Sequence, residues 1–283
     1  MRPPGRPKGE YRSAQHEGVP VTLRRKLSVV IISKNEAERI EACLRSVAWA
    51  DEIVVVDADS SDATRDIARR FTPQVHDLPW RGFGPQKQAA VELALHDWIL
   101  SVDCDERVTP ELADEIQAIL CSDAPNDAYT VPRRTFLGAK EIRHSGWSPD
   151  RSLRLFKRSA ARFSDSLVHE RVVTSSPVGR CRNYLLHYSF AGLAPLLFKL
   201  NQYTDLSARM MFANGRSCSI FDLTLRPLAA FIKAYVLKAG FLDGFNGVVV
   251  SVSTAVNVFY KYAKLRELSE ERARLNQSGS SFW

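Results

Sequence analysis

Apolar runs alternate with amphipathic segments from residue 27 onward, and this alternation restricts the fold more than any other feature of the chain. The runs "LSVVIIS" (27–33), "EIVVVD" (52–57) and "DWILSVD" (97–103) have the pattern of strands that are covered on both faces. Between them, apolar residues recur at spacings of three and four, as in helices with one buried stripe. The chain is therefore predicted to be α/β, with a mainly parallel, Rossmann-like sheet that carries helices on both faces.

Local signals mark the ends of several predicted helices. Ser60 or Ser61 is predicted to cap the helix that follows the second strand. A third helix is predicted over 86–95. Thr109 is predicted as the N-cap of the next helix, because Pro110 follows it and suits a first helical position. A further strand is predicted over 128–137.

Polar and acidic residues follow the predicted strands. In a parallel sheet the carboxyl ends of the strands meet at one edge, where ligands bind. The residues in question are Ser33, Asn35 and Glu36 after the first strand, Asp57 at the end of the second, and Asp103 and Asp105 after the third. These residues predict a polar crevice that attracts cations.

Three acidic residues crowd into the four positions after "WILSV". Asp103, Asp105 and Glu106 repel one another unless a cation, hydrogen bonds or water offset their charge. Two carboxylates on one turn suit Mg²⁺ or Mn²⁺, because these ions prefer oxygen ligands and keep positions open for diphosphate oxygens. An Asp-x-Asp pair also occurs by chance in loops, but its place at the end of a buried strand favours the metal hypothesis.

Charge is distributed unevenly along the 283 residues. Residues 1–26 hold seven basic and two acidic residues, residues 27–195 hold 21 and 24, and residues 196–283 hold 11 and six. The basic excess lies at the two ends, which argues against a nucleic-acid groove through the middle and leaves anionic lipid or an anionic acceptor as partners. Residues 1–26 are polar, basic and rich in Pro and Gly, so we predict a disordered tail without a signal peptide.

Five cysteines, widely spaced and without a C-x-x-C pair, are typical of a reduced, cytoplasmic compartment and do not favour a zinc site. The longest uncharged stretch, 244–260, is short for a membrane span and holds several polar residues. We therefore predict a cytoplasmic protein, with peripheral contact to the inner face of the cytoplasmic membrane as an open alternative.

The segments "SVVIISKNEAERIEACLRSV", "DEIVVVDADSSDAT", "GFGPQKQAAVELALHDWILSVDCDERVTPEL" and "HSGWSPDRSLRLFKR…VHE" resemble family 2 glycosyltransferases with the A-type nucleotide-diphospho-sugar fold. The likeness is strongest to the bacterial subgroup that includes lipopolysaccharide core-oligosaccharide glucosyltransferases. It covers about residues 27–190. The resemblance implies a catalytic domain over 27–190, followed by a helical region over 191–283.

The resemblance also implies roles for the residues at the strand ends. The segment with Ser33, Asn35 and Glu36 would line the nucleotide pocket, Asp57 would contact the base and Lys87 would lie near the donor. Lys87 is equally consistent with a solvated lysine and Asp57 with a helix cap. Asp103 and Asp105 would hold the metal and the sugar diphosphate. The family commonly has Gly where this chain has Asp59, so a left-handed backbone there would fit Asp imperfectly.

An inverting transfer requires a carboxylate base, because the acceptor hydroxyl loses a proton as it attacks. By resemblance the base is Glu170, with Asp150 as its rival and Asp165 as a further choice. His169 would complete the metal shell or orient the acceptor, although a lone histidine is also consistent with a structural role. Trp147 would stack on a sugar or fill the core.

Helices are predicted from residue 196 to the end, and their mixture of apolar, aromatic and basic residues suits either packing on the catalytic domain or contact with an anionic membrane. The favoured function is metal-dependent transfer of a hexose, with glucose preferred, from a UDP-sugar or similar donor to a lipopolysaccharide-core or other lipid-linked saccharide. A polyprenyl-phosphate glycosyltransferase, a nucleotidyltransferase and a non-catalytic basic lipid-binding adaptor are the alternatives. Nucleic acid is not an expected partner.

Overall fold

A computed structural model describes residues 24–123, 125–164 and 170–277. The strands are β1 (Leu27–Ser33), β2 (Glu52–Asp57), β3 (Val75–Asp77), β4 (Trp98–Ser101), β5 (Glu106–Val108), β6 (Ala128–Leu137), β7 (Lys140–Ile142), β8 (Asp150–Lys157), β9 (Ala161–Phe163), β10 (Val172–Thr174), β11 (Val178–Arg180) and β12 (Leu185–Phe190). The helices are α1 (Ile40–Ser46), α2 (Thr64–Ala68), α3 (Phe83–Leu93), α4 (Pro110–Cys121), α5 (Leu193–Ala213), α6 (Ile220–Ile232) and α7 (Phe245–Gln277). A π-helical turn (Lys233–Leu237) and a 3₁₀ turn (Gly240–Asp243) separate the last two.

The central sheet has the strand order β3-β2-β1-β4-β8-β6-β12-β5, with β7 and β11 paired to β6. The first four strands are parallel, as predicted for strand–helix repeats, and β12 is parallel to β6. β8 pairs antiparallel with both β4 and β6, which the sequence did not predict. The α/β class and the helices on both faces are confirmed.

Two apolar layers cover the sheet. Alternate residues of β1 point to opposite faces, so Val29 packs with α1 and α4 while Val30 packs with α3. The strand bounds predicted at 27–33, 52–57 and 128–137 agree with the structure, because their apolar, β-branched runs need cover on both faces.

One predicted cap is confirmed and one is wrong. The Thr109 hydroxyl accepts a hydrogen bond from the Leu112 N–H at the start of α4. The N-cap of α2 is Ala63, rather than Ser60 or Ser61. The Ser60 hydroxyl instead accepts the Asn35 N–H and donates to Asp57. The helix predicted over 86–95 begins three residues earlier and ends at Leu93.

The C-terminal third is helical, as predicted. Leu196 of α5 and Val250 of α7 pack with Leu137 and Ile142 of the sheet, while Ala208, Tyr262 and Leu265 form a separate core between the helices. Over the described residues, none of the helices combines the length and the apolar content that crossing a bilayer requires. The predicted boundaries after residues 26 and 190 stay predictions, and residues 1–23 of the predicted tail lie outside the described residues.

Candidate active site

A cavity of about 1030 Å³ lies beyond the carboxyl ends of β1 and β4. This is the edge at which the strand–helix pattern predicted a ligand crevice. Its wall includes the predicted site residues Ser33, Asn35, Glu36, Lys87, Asp103, Asp105, Asp150 and Glu170. Asp57 is not among the lining residues. Helix α5, which follows the last strand, also contributes to the wall through Lys199 and Tyr203.

Asp57 is fully buried beneath the cavity wall, where it organises the loops after β1 and β2. Its carboxylate accepts hydrogen bonds from the Ser33 hydroxyl (2.8 Å) and from the N–H (2.8 Å) and hydroxyl (2.6 Å) of Ser60. Ser60 in turn accepts a hydrogen bond from the Asn35 N–H. The contact of Asp57 with a nucleotide base therefore stays a prediction, while its link to these loops is part of the structure.

Asp59 has a φ of +59°, so the position where the family commonly has glycine is left-handed in this chain. Asp adopts this conformation less readily than Gly does. The side chain is exposed, so its charge faces solvent rather than the buried loop network. The backbone geometry expected from the family motif is thus retained despite the substitution.

Asp103 is held between two cations. Its Oδ1 lies 2.8 Å from Lys87 Nζ, and its Oδ2 accepts a 2.6 Å hydrogen bond from Arg154. Burial raises the pKa of Asp103, but the charges of Arg154 and Lys87 outweigh this effect and hold the pKa well below its usual range. Lys87 is 5% exposed, so it is not the solvated lysine that the sequence also allowed.

Glu106 explains how three acidic residues can lie so close in sequence, because it is buried and pairs with two arginines. It is fully buried on β5, and its Oε1 accepts hydrogen bonds from Arg154 (2.6 Å) and Arg133 (3.1 Å). Its Oε2 accepts the Asp103 N–H at 3.0 Å. Glu106 thereby holds the turn that carries Asp103.

Asp105 lies close to two side chains for which the local sequence gave no signal, an imidazole and an amine. Its Oδ2 lies 3.5 Å from His187 Nε2 and 4.0 Å from Lys199 Nζ. Burial raises the pKa of Asp105, but the hydrogen bond and charge of His187 outweigh it, and the pKa lies below its ordinary value. The antiparallel pairing of β12 with β5 brings His187 there, and local sequence gives no sign of that pairing.

The two proposed bases both line the cavity in different surroundings. Glu170 Oε1 accepts a 2.9 Å hydrogen bond from Lys87, so one amine joins this carboxylate to Asp103. Asp150 accepts two hydrogen bonds from Arg133 through one oxygen. Asp165 and His169 lie outside the described residues, so the predicted role of His169 stays a prediction.

Aromatic side chains form much of the remaining wall, including Trp80, Trp147 and Tyr203. Trp147 is half-buried and packs against Phe190, with ring centroids 5.6 Å apart, so it both fills the small core and faces the cavity. The neighbouring arginines Arg133, Arg134 and Arg154 are not among the lining residues. The lining cations in the described chain are Lys34, Lys87 and Lys199, with His187 beside them.

The side chains around the acidic turn supply only part of a metal coordination shell. Within the described ranges, no group of three or more His, Cys, Asp or Glu side chains is arranged to hold a metal ion. Asp105 and His187 offer one carboxylate and one imidazole nitrogen to the same space. Because Mg²⁺ is usually held by one or two carboxylates together with substrate phosphates and water, Asp105 with the adjacent His187 would fit such an ion. Both oxygens of Asp103 already contact Lys87 and Arg154.

Comparison with known proteins agrees with this geometry. The family described as "Glycosyl transferase family 2" matches residues 28–180. A glycosyltransferase of Rickettsia bellii, described as uncharacterized, is 34% identical over 260 residues, which are 87% of this chain and 88% of the relative. The lipopolysaccharide core biosynthesis glycosyltransferase LpsC of Rhizobium meliloti is 28% identical over 257 residues, which are 88% and 95% of the two chains.

Among solved structures, S. aureus TarS 1-349 aligns over 91% of this chain and 93% of its own, with 16% identity and a TM-score of 0.44. That TM-score is too low for the likeness to bear on substrate. The family match spans more than half of the chain, and the Rickettsia relative is matched over most of its length. On these two findings, the chain belongs to glycosyltransferase family 2 and is a glycosyltransferase.

Proposed function

We propose that this enzyme is an inverting, metal-dependent transferase that moves a hexose, preferably glucose, from a UDP-sugar or related donor to a lipopolysaccharide-core or other lipid-linked saccharide at the inner face of the cytoplasmic membrane. The observation that carries the proposal is the single cavity that brings the acidic turn of Asp103 and Asp105 together with Glu170 and with α5. The LpsC relative supports the choice of acceptor.

Donor binding is assigned to the β1 end of the cavity. Ser33, Asn35 and Glu36 would border the nucleotide, with Asp57 holding their loop through Ser33 and Ser60. Burial raises the pKa of Glu36, and nearby Asp105 adds to this effect while Arg39 opposes it. Glu36 also lies 3.6 Å from Arg39 Nη1, which holds its carboxylate at the cavity wall.

The diphosphate is assigned to the middle of the cavity. Asp105 and His187 would hold a divalent ion, and Asp103 would act with it at the sugar diphosphate. When bound, such an ion neutralises the charge that develops on the leaving diphosphate. Lys87 and Lys199 add positive charge on either side of the acidic turn. Donor binding would give Lys87 a third anionic partner beside Asp103 and Glu170.

Glu170 is assigned as the base that removes the proton of the acceptor hydroxyl. A base must reach that hydroxyl from the face of the sugar opposite the leaving group. Glu170 lies across Lys87 from Asp103, on the cavity wall. Arg133 pairs with both Asp150 and the buried Glu106. This shared arginine favours a positioning role for Asp150.

Calorimetric titration with UDP-glucose, GDP-mannose and UDP, each with Mn²⁺ or with EDTA, tests the proposal directly. We expect one nucleotide to bind only with Mn²⁺ and the affinity to fall at least tenfold in Asp105→Ala. The matched control is Asp66→Ala, which removes an exposed carboxylate on α2. Failure of folded wild-type protein to bind any of the three ligands with Mn²⁺ would contradict the metal-dependent mechanism and the donor class proposed here.

A further inference from the structure

Helix α6 and the two turns after it carry an unusual row of exposed apolar side chains. On α6 the row has spacings of three and four, so it forms one stripe of the helix. It continues through the π-helical and 3₁₀ turns to the first residue of α7. These side chains, each 43% to 74% exposed, are Phe221, Leu225, Leu228, Ile232, Val236, Leu237, Phe241, Leu242 and Phe245, and together they are named the apolar face. Soluble monomers rarely expose contiguous apolar patches above a few hundred Å², and larger ones mark contact sites.

The charges around the apolar face are sorted by sign. Asp222 and Asp243 are the two acidic residues between Asp205 and Glu267, and they are only 8% and 5% exposed. Asp222 pairs with Arg226, and Asp243 accepts hydrogen bonds from the N–H groups of Arg143 and His144. The acidic side chains are thus turned inward.

Basic side chains of the same segment stay outside. Lys233 and Lys238 are exposed between the apolar residues, and the Arg226 side chain is 54% exposed. An exposed surface that combines large apolar side chains with lysines, and that buries its acids, complements an anionic surface. Because its apolar side chains are large and many, it suits the boundary between lipid headgroups and acyl chains.

The apolar face is also joined to the cavity wall. The Ser145 N–H donates a 3.0 Å hydrogen bond to the Lys238 carbonyl, and His144 Nδ1 lies 3.0 Å from Asp243 Oδ1. The loop that follows, with Gly146 and Trp147, lines the cavity. A partner that binds the apolar face would therefore lie next to one rim of the cavity.

We propose that the apolar face, with Lys233 and Lys238, binds the surface of an anionic lipid bilayer. Apolar side chains enter the boundary between headgroups and acyl chains, while the lysines remain at the phosphate level. This contact presents the cavity rim to molecules that are anchored in the same bilayer. The link to a lipid-anchored acceptor rests on the proposed function, whereas the lipid contact does not.

The test is co-sedimentation of the full-length protein with vesicles, without nucleotide. One set of vesicles is phosphatidylcholine alone, and the other is an equal mixture of phosphatidylcholine and phosphatidylglycerol. We expect the wild type to pellet with the anionic vesicles and to remain in solution with the neutral ones. Two variants then separate the apolar and the electrostatic contributions.

The apolar variant combines Leu237→Ser, Phe241→Ser and Phe245→Ser, and its control is Leu95→Ser, which removes a 69% exposed leucine near β4. We expect binding to anionic vesicles to fall about tenfold or more in the triple variant and to stay unchanged in the control. The basic variant combines Lys233→Gln and Lys238→Gln, with Arg69→Gln/Arg70→Gln as a control of equal charge change. We expect binding to anionic vesicles to fall about fivefold per lysine in the Lys233/Lys238 variant and to stay unchanged in the Arg69/Arg70 control.

Circular dichroism establishes that each variant is folded, and the lysine pair keeps the test decisive if the triple variant is not. The proposal is overturned if folded wild type ignores anionic vesicles, or if both variants bind as well as wild type. It is also overturned if the wild type self-associates through this face, so that the triple variant becomes monomeric while neither binds lipid. Since no nucleotide is present, failure of the donor titration leaves this readout unaffected.

Discussion

At the residue scale, the acidic cluster is a set of unequal carboxylates. Glu106 is fully buried beside Arg133 and Arg154, whereas the side chains of Asp103 and Asp105 are 27% and 14% exposed. Three neighbours in sequence therefore divide into one group that holds the turn and two that face the cavity. Like charges are tolerated because each carboxylate lies beside basic side chains, and Arg154 contacts both Asp103 and Glu106.

Glu106→Gln tests the structural half of this division. Removal of one partner of a buried ion pair leaves the arginines with uncompensated charge, so we expect the free energy of unfolding to fall by about 3 to 5 kcal/mol. Urea unfolding measures the change. Asp66→Asn removes an exposed partner of Arg69 and is expected to change stability by less than about 1 kcal/mol. An equal, small effect of both substitutions would show that the buried network is not needed for folding.

Glu170→Gln tests the base that is proposed for the acceptor hydroxyl. If Glu170 is the base, kcat is expected to fall about 10² to 10⁴-fold while nucleotide affinity stays within a few-fold, because the proton transfer is lost but the donor pocket is kept. Asp150→Asn is the matched comparison, and we expect a smaller loss. A steady-state assay with the donor identified by calorimetry measures both. The opposite order of losses would assign the base to Asp150.

At the element scale, the loops that follow β1 and β4 form one part of the cavity wall, and β12, far along the chain, forms another. β12 places His187 beside Asp105 through its antiparallel pairing with β5, and the Tyr188 N–H donates to the Asp105 carbonyl at 2.8 Å. β8 brings Arg154 to the same place from between β4 and β6. The antiparallel strands thus supply the counter-charges for an acidic turn that follows a parallel strand.

The start of α6 allows a pH-dependent prediction. The N–H and hydroxyl of Ser219 both donate to Asp222 Oδ2 at 2.9 Å, and these hydrogen bonds hold the pKa of Asp222 below its ordinary value. Because the folded pKa is the lower one, the ionised carboxylate stabilises the fold above the unfolded pKa of about 3.9, and this contribution is lost as the pH falls through the folded pKa.

We therefore expect wild type to have a higher Tm than Asp222→Asn by a constant amount above about pH 5, with the difference shrinking below about pH 4. Thermal unfolding followed by circular dichroism across this range measures it. A Tm difference that grows as the pH falls would have the wrong sign, and would mean that the carboxylate is better stabilised in the unfolded chain.

At the scale of the whole molecule, the sheet and the C-terminal helices share one small apolar contact and one cavity. Leu196 and Val250 pack against Leu137 and Ile142, and this cluster is separate from the core of the sheet. Tyr203 and Lys199 of α5 then face the acidic turn across the cavity. The cavity wall therefore depends on a cluster of four buried side chains that is much smaller than the core of the sheet and separate from the core between the helices.

Leu196→Ala tests this dependence by hydrogen exchange. The cavity left by the lost side chain weakens the shared cluster, so we expect amides of α5 and α7 to exchange faster while those of β1 and β2 change little. Leu112→Ala, in the core of the sheet, is the control and is expected to speed exchange in the sheet itself. Equal acceleration in both regions by Leu196→Ala would indicate a single cooperative unit.

Local pattern by itself determined much of this protein. The apolar runs of β1, β2 and β6, the Thr109 cap and the three C-terminal helices follow from periodicity and turn chemistry, which act between residues that are near in sequence. The position of the acidic turn at the end of a buried strand was also predicted from the sequence. Family membership followed from the same motifs.

Only the tertiary structure decided which basic side chain meets which carboxylate. Asp103 is contacted by Lys87 from α3 and by Arg154 from β8. His187 of β12 lies beside Asp105, and the Ser60 hydroxyl bonds to the buried Asp57 rather than capping α2. These partners are separated along the chain, and strand order rather than local propensity brings them together. A buried charge takes whichever counter-charge the fold supplies, because desolvation penalises leaving it unpaired.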